Sequence, residues 1–129
     1  MTVAIARILL DRIVALAAER PDEEVCGLLF GNPARILSAE PTPNVSARPA
    51  DSFEIAPQAL FAAIRAERAG GPRLIGHYHS HPRGRPVPSA RDAAAAEPGR
   101  LWLIVGGGEA RLWLAEYAGR FTAVPLDIA

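Results

Sequence analysis

Cysteine is nearly absent: Cys26 is the only one in 129 residues. An intramolecular disulfide is therefore excluded, as is a closed metal site built from several thiolates, and a reducing compartment is expected. No apolar run is long enough to cross a bilayer. The stretch from Val3 to Leu10 is mostly apolar, but Arg7, Asp11 and Arg12 break it up, so it does not read as a signal sequence. Neither sign of charge dominates. The 14 basic and 14 acidic residues are intermixed and the formal net charge is zero, which leaves no electrostatic footprint for nucleic acid or an anionic membrane surface. Internal repeats and linker-like stretches are missing as well. The expectation is a cytoplasmic protein with one domain over residues 1–129.

Half of the residues are apolar, enough for a chain of this length to bury a real core. Ile5, Leu9, Ile13 and Leu16 recur at helical spacing with Arg7 and Asp11 opposite, which predicts an amphipathic helix within Met1 to Arg20, ended at Pro21. Residues 24–31 form a nearly continuous apolar run and predict a strand buried on both faces, followed by a turn at Gly31-Asn32-Pro33 and a second strand around Arg35 to Glu40. Pro41, Pro43 and Pro49 mark irregular chain, with a brief extended piece at Ser52 to Ile55. Pro57 suits the first turn of a helix to about Ala69, with Leu60, Phe61 and Ile64 inward and Gly70-Gly71 as the stop. Residues 101–105, 110–116 and 121–128 look like an antiparallel meander. Together these segments make an α/β fold, a mixed curved sheet flanked by helices.

The chemistry gathers at Gly76-His77-Tyr78-His79-Ser80-His81-Pro82 and at Ser89-Ala90-Arg91-Asp92. Residues 73–81 predict a strand, since Leu74-Ile75 leads in and Pro82 ends it. Alternation along a strand puts His79 and His81 on one face, where both imidazoles can reach one ion at about 2.0–2.1 Å, and turns Tyr78 and Ser80 away. Asp92 supplies a third candidate ligand. Three protein ligands leave a fourth position open, as in catalytic rather than structural zinc sites. Plainer readings stand beside this one: a His-x-His pair is also compatible with solvated or packed histidines, and Ser89-x-x-Asp92 before an alanine run is an ordinary helix N-cap. The cap and the ligand are compatible, because a helix starting at Ser89 would fix Asp92 in its first turn. His77 shares the face of His79 and His81 and reads as a residue beside the site, or as a replacement for one of the two ligands. Cys26 reads as a small core residue. Glu24, in the acidic run Asp22-Glu23-Glu24, reads from composition alone as a surface acid.

His79-Ser80-His81, seven residues, then Ser89-x-x-Asp92 resembles without a gap the JAMM motif of the JAB1/MPN/Mov34 metalloproteases. Upstream, Glu24-Val25-Cys26-Gly27-Leu28-Leu29-Phe30-Gly31 is similar to the strand that carries the family's catalytic glutamate. The resemblance implies a single JAB/MPN domain with a cytidine-deaminase-like layout and one Zn2+ per chain. It also implies His79, His81 and Asp92 as ligands, Glu24 as general acid/base and Ser89 as stabiliser of the tetrahedral intermediate. It further implies a zinc metallopeptidase or isopeptidase, cutting the amide bond after the C-terminal Gly-Gly tail of a ubiquitin-like or sulfur-carrier β-grasp protein. A non-catalytic binding module and a small-molecule amidase are the competing classes. Deamination is not expected, because the chain has neither the His-x-Glu nor the Pro-Cys-x-x-Cys of zinc deaminases. The chain is too short for the two insertions with which eukaryotic deubiquitinases of the family grip polyubiquitin. Arg83 and Arg85, on the loop after His81, are candidates for binding the carbonyls of an extended tail.

Overall fold

The computed structural model describes residues 1–129. Eight strands form one mixed sheet in the order β7-β6-β5-β4-β2-β3-β1-β8. In chain order they are β1 (Val3–Ile5), β2 (Cys26–Asn32), β3 (Arg35–Thr42), β4 (Leu74–His81), β5 (Leu101–Gly106), β6 (Glu109–Ala115), β7 (Phe121–Val124) and β8 (Leu126–Ile128). Helix α1 (Arg7–Ala18) follows β1, α2 (Pro57–Arg68) precedes β4, and the short α3 (Ala90–Ala95) lies between β4 and β5. The expected architecture of a mixed curved sheet flanked by helices is the one observed.

The sheet nearly closes on itself. β7 and β8 are a single stretch interrupted at Pro125, where the chain leaves its antiparallel partner β6 and pairs in parallel with β1. Pro125 has no N–H to give to a ladder. Its carbonyl accepts from Val3 N–H at 3.0 Å at the crossing point. β1 itself was not anticipated. The N-terminal segment opens as a strand between β3 and β8, with helix only from Arg7. Ile5 therefore sits in the sheet, and α1 turns inward through Leu10 and Ile13, leaving Ile8 81% exposed. The inner face of the curved sheet and α1 enclose the main core, which includes Val3, Ile5, Leu29, Ile36, Tyr78, Leu103 and Leu112.

β4 is the central strand, antiparallel to β2 and parallel to β5. Between Leu29 and Phe30 the β2–β4 register slips, so that Ile75 is an extra residue on β4. This bulge sends Ile75 and Tyr78 into the α1 core while His77, His79 and His81 share the opposite face. Gly27 faces Tyr78 across the ladder, and a Cβ there would lie 2.2 Å from the tyrosine ring. The outer face is covered by α2 and α3. α2 packs there through Ala63 and Ile64 over Leu28, Phe30 and Leu74, whereas Phe61, expected inward, is 61% exposed. Ser52 to Ile55 is not a strand, and its pairing is one isolated bridge from Ile55 to Asn44.

Candidate metal centre and the groove beside it

The ends of β4 and β2 and the start of α3 bring Glu24, His79, His81 and Asp92 together. His79 Nε2 lies 3.0 Å from His81 Nε2 and 3.3 Å from Asp92 Oδ2, and His81 Nε2 lies 3.2 Å from the same oxygen. Donors about 2.0–2.1 Å from a tetrahedral ion are about 3.3 Å from one another, so the triangle has the size of one coordination face. Its chemistry also fits a cation. His81 Nδ1 must carry a proton to donate to the Arg85 carbonyl at 2.9 Å, so in the neutral ring Nε2 is a lone pair aimed at the carboxylate. Two electron-rich atoms that close are compatible only with a proton or a metal ion between them.

The cap and the ligand readings of Asp92 both hold in geometry. Asp92 N–H donates to Ser89 Oγ at 3.1 Å and Ser89 N–H donates to Asp92 Oδ2 at 2.8 Å, a reciprocal capping box. Burial alone would raise the Asp92 carboxyl, but hydrogen bonds from His79 and His81 hold it well below the usual carboxylate range. For His81 burial works against the charged form, and Asp92 together with the Arg85 carbonyl outweighs it and raises the imidazole. His79 is fully buried, and burial lowers it despite Asp92. Its ring stacks on Phe53 at 4.2 Å. Ser80 turns away as expected, accepting Val25 N–H at 2.9 Å and tying β2 to β4 beside the site.

Glu24 is no surface acid. It is 6% exposed, its N–H donates to the Pro49 carbonyl at 2.7 Å and its carbonyl accepts from Asn44 Nδ2 at 2.9 Å. The proline-rich segment that looked merely irregular thus clamps the backbone at this residue. The carboxylate lies within 4.8 Å of the two imidazoles, and Oε1 is buried without a partner. Glu24 and Asp92 compete as third ligand on proximity alone. The shorter edges from Asp92 fit a shared ion, while Glu24 stands beside it with a free oxygen. Burial pushes its carboxyl up to about 7, with His81 opposing and Asp92 adding to the rise.

Next to the triangle a groove of about 410 Å³ runs along β4 from Asp92 back to Leu74, between Phe53 to Ile55 on one side and α3 on the other. Its floor is His77 and Trp102, whose rings meet edge to face at 4.3 Å. His77 is thus on the face of His79 and His81, as expected, with its ring 6.5 Å from that of His79. Burial pushes it down to about 3, with His79 adding to the fall. Arg83 and Arg85 are exposed on the loop after His81, and what that loop contributes is the Arg85 carbonyl rather than a side chain. Its fit is tight: a Cβ on Gly106 would meet the Gly84 carbonyl oxygen at 2.6 Å. Phe53 and Trp102 carried no motif and were missed, and only their aromatic character within otherwise plain segments could have marked them.

Residues 6–116 match the family of prokaryotic homologs of the JAB domain. The chain is 39% identical over 106 residues to a desampylase of Haloferax volcanii, covering 80% of this chain and 76% of that protein. It is 35% identical over 99 residues to a probable TtuB-protein conjugate cleaving protease of Thermus thermophilus, covering 77% of this chain and 66% of the relative. A solution structure of a protein from Desulfitobacterium hafniense superposes with a TM-score of 0.83 at 23% identity, over 99% of this chain and 93% of that one, a likeness of fold. The chain belongs to the prokaryotic JAB-domain family and is a JAMM-type hydrolase.

Proposed function

We propose that this protein is a zinc-dependent isopeptidase that cuts the amide bond after the C-terminal Gly-Gly of a ubiquitin-like or sulfur-carrier β-grasp protein. The observation that carries the reading is the Nε2, Nε2, Oδ2 triangle with an unpartnered, buried Glu24 oxygen at its side. Support for the substrate class comes from the two relatives, one described as a desampylase and one as cleaving TtuB conjugates. His79, His81 and Asp92 would hold one Zn2+. When bound, zinc supplies Lewis acidity, polarising the scissile carbonyl and letting water give up a proton near neutral pH.

Glu24 takes that proton from the attacking water on its free oxygen and later hands it to the leaving amine. A carboxyl raised by burial suits both halves of the task, since it binds the proton firmly enough to keep it and weakly enough to release it. Ser89 Oγ already accepts from Asp92 N–H, so its own hydroxyl proton is free to donate to the carbonyl oxygen as negative charge develops there. The single, buried cysteine takes no part and suits a reducing cytoplasm.

The test is a β-grasp carrier extended beyond its Gly-Gly by a short peptide or by a single cysteine. The protein should release the extension, a chelator should stop the reaction, and mass spectrometry should place the cut after the second glycine. Binding of such a carrier without cleavage by the metal-loaded protein would replace this reading with that of a binding module.

A further inference from the structure

Three side chains at the floor of the groove present polar nitrogens that the rest of the chain leaves wholly or partly unmatched. Trp102 is 2% exposed, and its indole Nε1–H has no hydrogen-bond partner. His77, its neighbour across the β4–β5 ladder, has Nδ1 buried and unpartnered. Arg100 precedes Trp102 by two residues, so its side chain leaves the same face. It gives one N–H to the Leu74 carbonyl at 2.9 Å and forms no ion pair with any acid of the chain. All three line one groove.

Buried donors without acceptors are rare because each loses its water and gains nothing in return. The half-buried Arg100 guanidinium adds a charge with open donors on the same face. The shared complement of a guanidinium, an indole N–H and an imidazole is a planar anion that accepts several hydrogen bonds at once, namely a carboxylate. Glu54 and Glu97 also line the groove, but both are exposed at its rim and neither pairs with Arg100.

We propose that Arg100, Trp102 and His77 form a carboxylate-binding subsite that reads an acidic side chain on the residue immediately before the substrate's diglycine. The proposal rests on the Gly-Gly cleavage argued above. Its position follows from a ruler. His77 lies two residues before His79 on the same strand, with their rings 6.5 Å apart, and an extended tail laid along β4 advances about 3.3 Å per residue. With the scissile carbonyl at the His79 and Asp92 end, the two glycines pass over the wall of the triangle. The third residue back, the first with a side chain, then stands above His77 and Trp102. The groove leaves the ligands in one direction, toward Leu74, so one side of the scissile bond is read in this way.

The experiment compares carrier tails ending Glu-Gly-Gly, Gln-Gly-Gly and Lys-Gly-Gly, each joined to the same short extension. The zinc-loaded protein should prefer Glu over Gln by at least about tenfold in kcat/KM, chiefly through KM, with Lys poorest. Arg100→Gln should bring the Glu-to-Gln ratio close to one, Arg100→Lys should keep part of it, and Trp102→Phe should reduce it while keeping the ring. A second readout does not depend on cleavage. The indole N–H resonance of Trp102 should move when a peptide ending Glu-Gly-Gly is added, while that of Trp113, which already donates to the Pro86 carbonyl at 3.0 Å, should stay in place. Equal rates for Glu and Gln with an unmoved Trp102 resonance overturn the proposal, and so does the absence of both cleavage and any shift. A preference for an acid placed three residues beyond the scissile bond overturns the assignment to the upstream side. A Trp102 shift without cleavage of any tail supports the subsite and defeats the isopeptidase reading instead.

Discussion

Glu24→Gln should inactivate the protein and, with the metal removed, make it more stable. The substitution keeps the size and hydrogen-bonding shape of the side chain and removes its ability to take up a proton. Activity should fall by at least about a hundredfold, the lower range for a general base, with the metal still bound. The stability effect follows from burial. The folded protein holds the Glu24 carboxyl up to about 7, against an ordinary value of 4.5. Between those pH values the unfolded chain has lost this proton while the folded one keeps it, so stability falls as pH rises through the window and is flat above it. Each unit of displacement corresponds to about 1.4 kcal/mol, so the full displacement puts an upper bound of roughly 3.5 kcal/mol on the cost of the buried charge at pH 8, which the solvent that still reaches the site reduces. Gln carries no such cost. Urea unfolding of the chelator-treated proteins from pH 5 to 8 should therefore show the variant gaining on the wild type with pH, by about 1–3 kcal/mol at the upper end. Differences between the two proteins cancel the titrations they share. A pH-independent difference, or loss of metal from the variant under native conditions, would refute the reasoning.

Elemental analysis of the purified protein should approach one metal ion per chain, and a His79→Ala, His81→Ala double variant should lose it, whereas His77→Ala should retain it. Gly27→Ala places a methyl 2.2 Å from the Tyr78 ring and 2.5 Å from the Glu40 carbonyl oxygen, so denaturant melts should report a loss of at least about 2 kcal/mol. Gly106→Ala should push the Gly84 to Pro86 segment off β5 and with it the Arg85 carbonyl that fixes the His81 tautomer. The expected result is metal affinity about 10–100-fold weaker, measured by competition with a chromophoric chelator, at near-normal stability.

The geometry of the candidate ligands was legible because it is local. Two residues along a strand put His79 and His81 on one face, and three residues at a helix start tie Asp92 to Ser89, whatever the rest of the chain does. Glu24 was legible only through its motif, since the contacts that bury it come from Asn44 and Pro49, far along the chain. β1 was hidden for a related reason: a three-residue strand has no period of its own, and its partners lie some 30 and 120 residues downstream. The inward face of α1 was legible at Leu9 and Ile13, which meet the core with Arg7 and Asp11 exposed opposite, whereas Leu10 was overlooked because helical phase was counted from Ile5, a residue that belongs to the sheet. Phe61 was misplaced on α2 because hydrophobicity does not record how little room the alanines leave beneath that helix.

The exchange of partners at Pro125 also limits how other chains can approach. An open sheet ends in rows of unpaired amides that invite a foreign strand to join. Here the two terminal strands are four and three residues long, and the residue between them has no N–H to offer. A flexible, extended peptide arriving at this protein finds no rim long enough to zip onto. Self-association by strand addition is discouraged by the same device, and the longest extended surface left open is the face of the sheet where the groove lies.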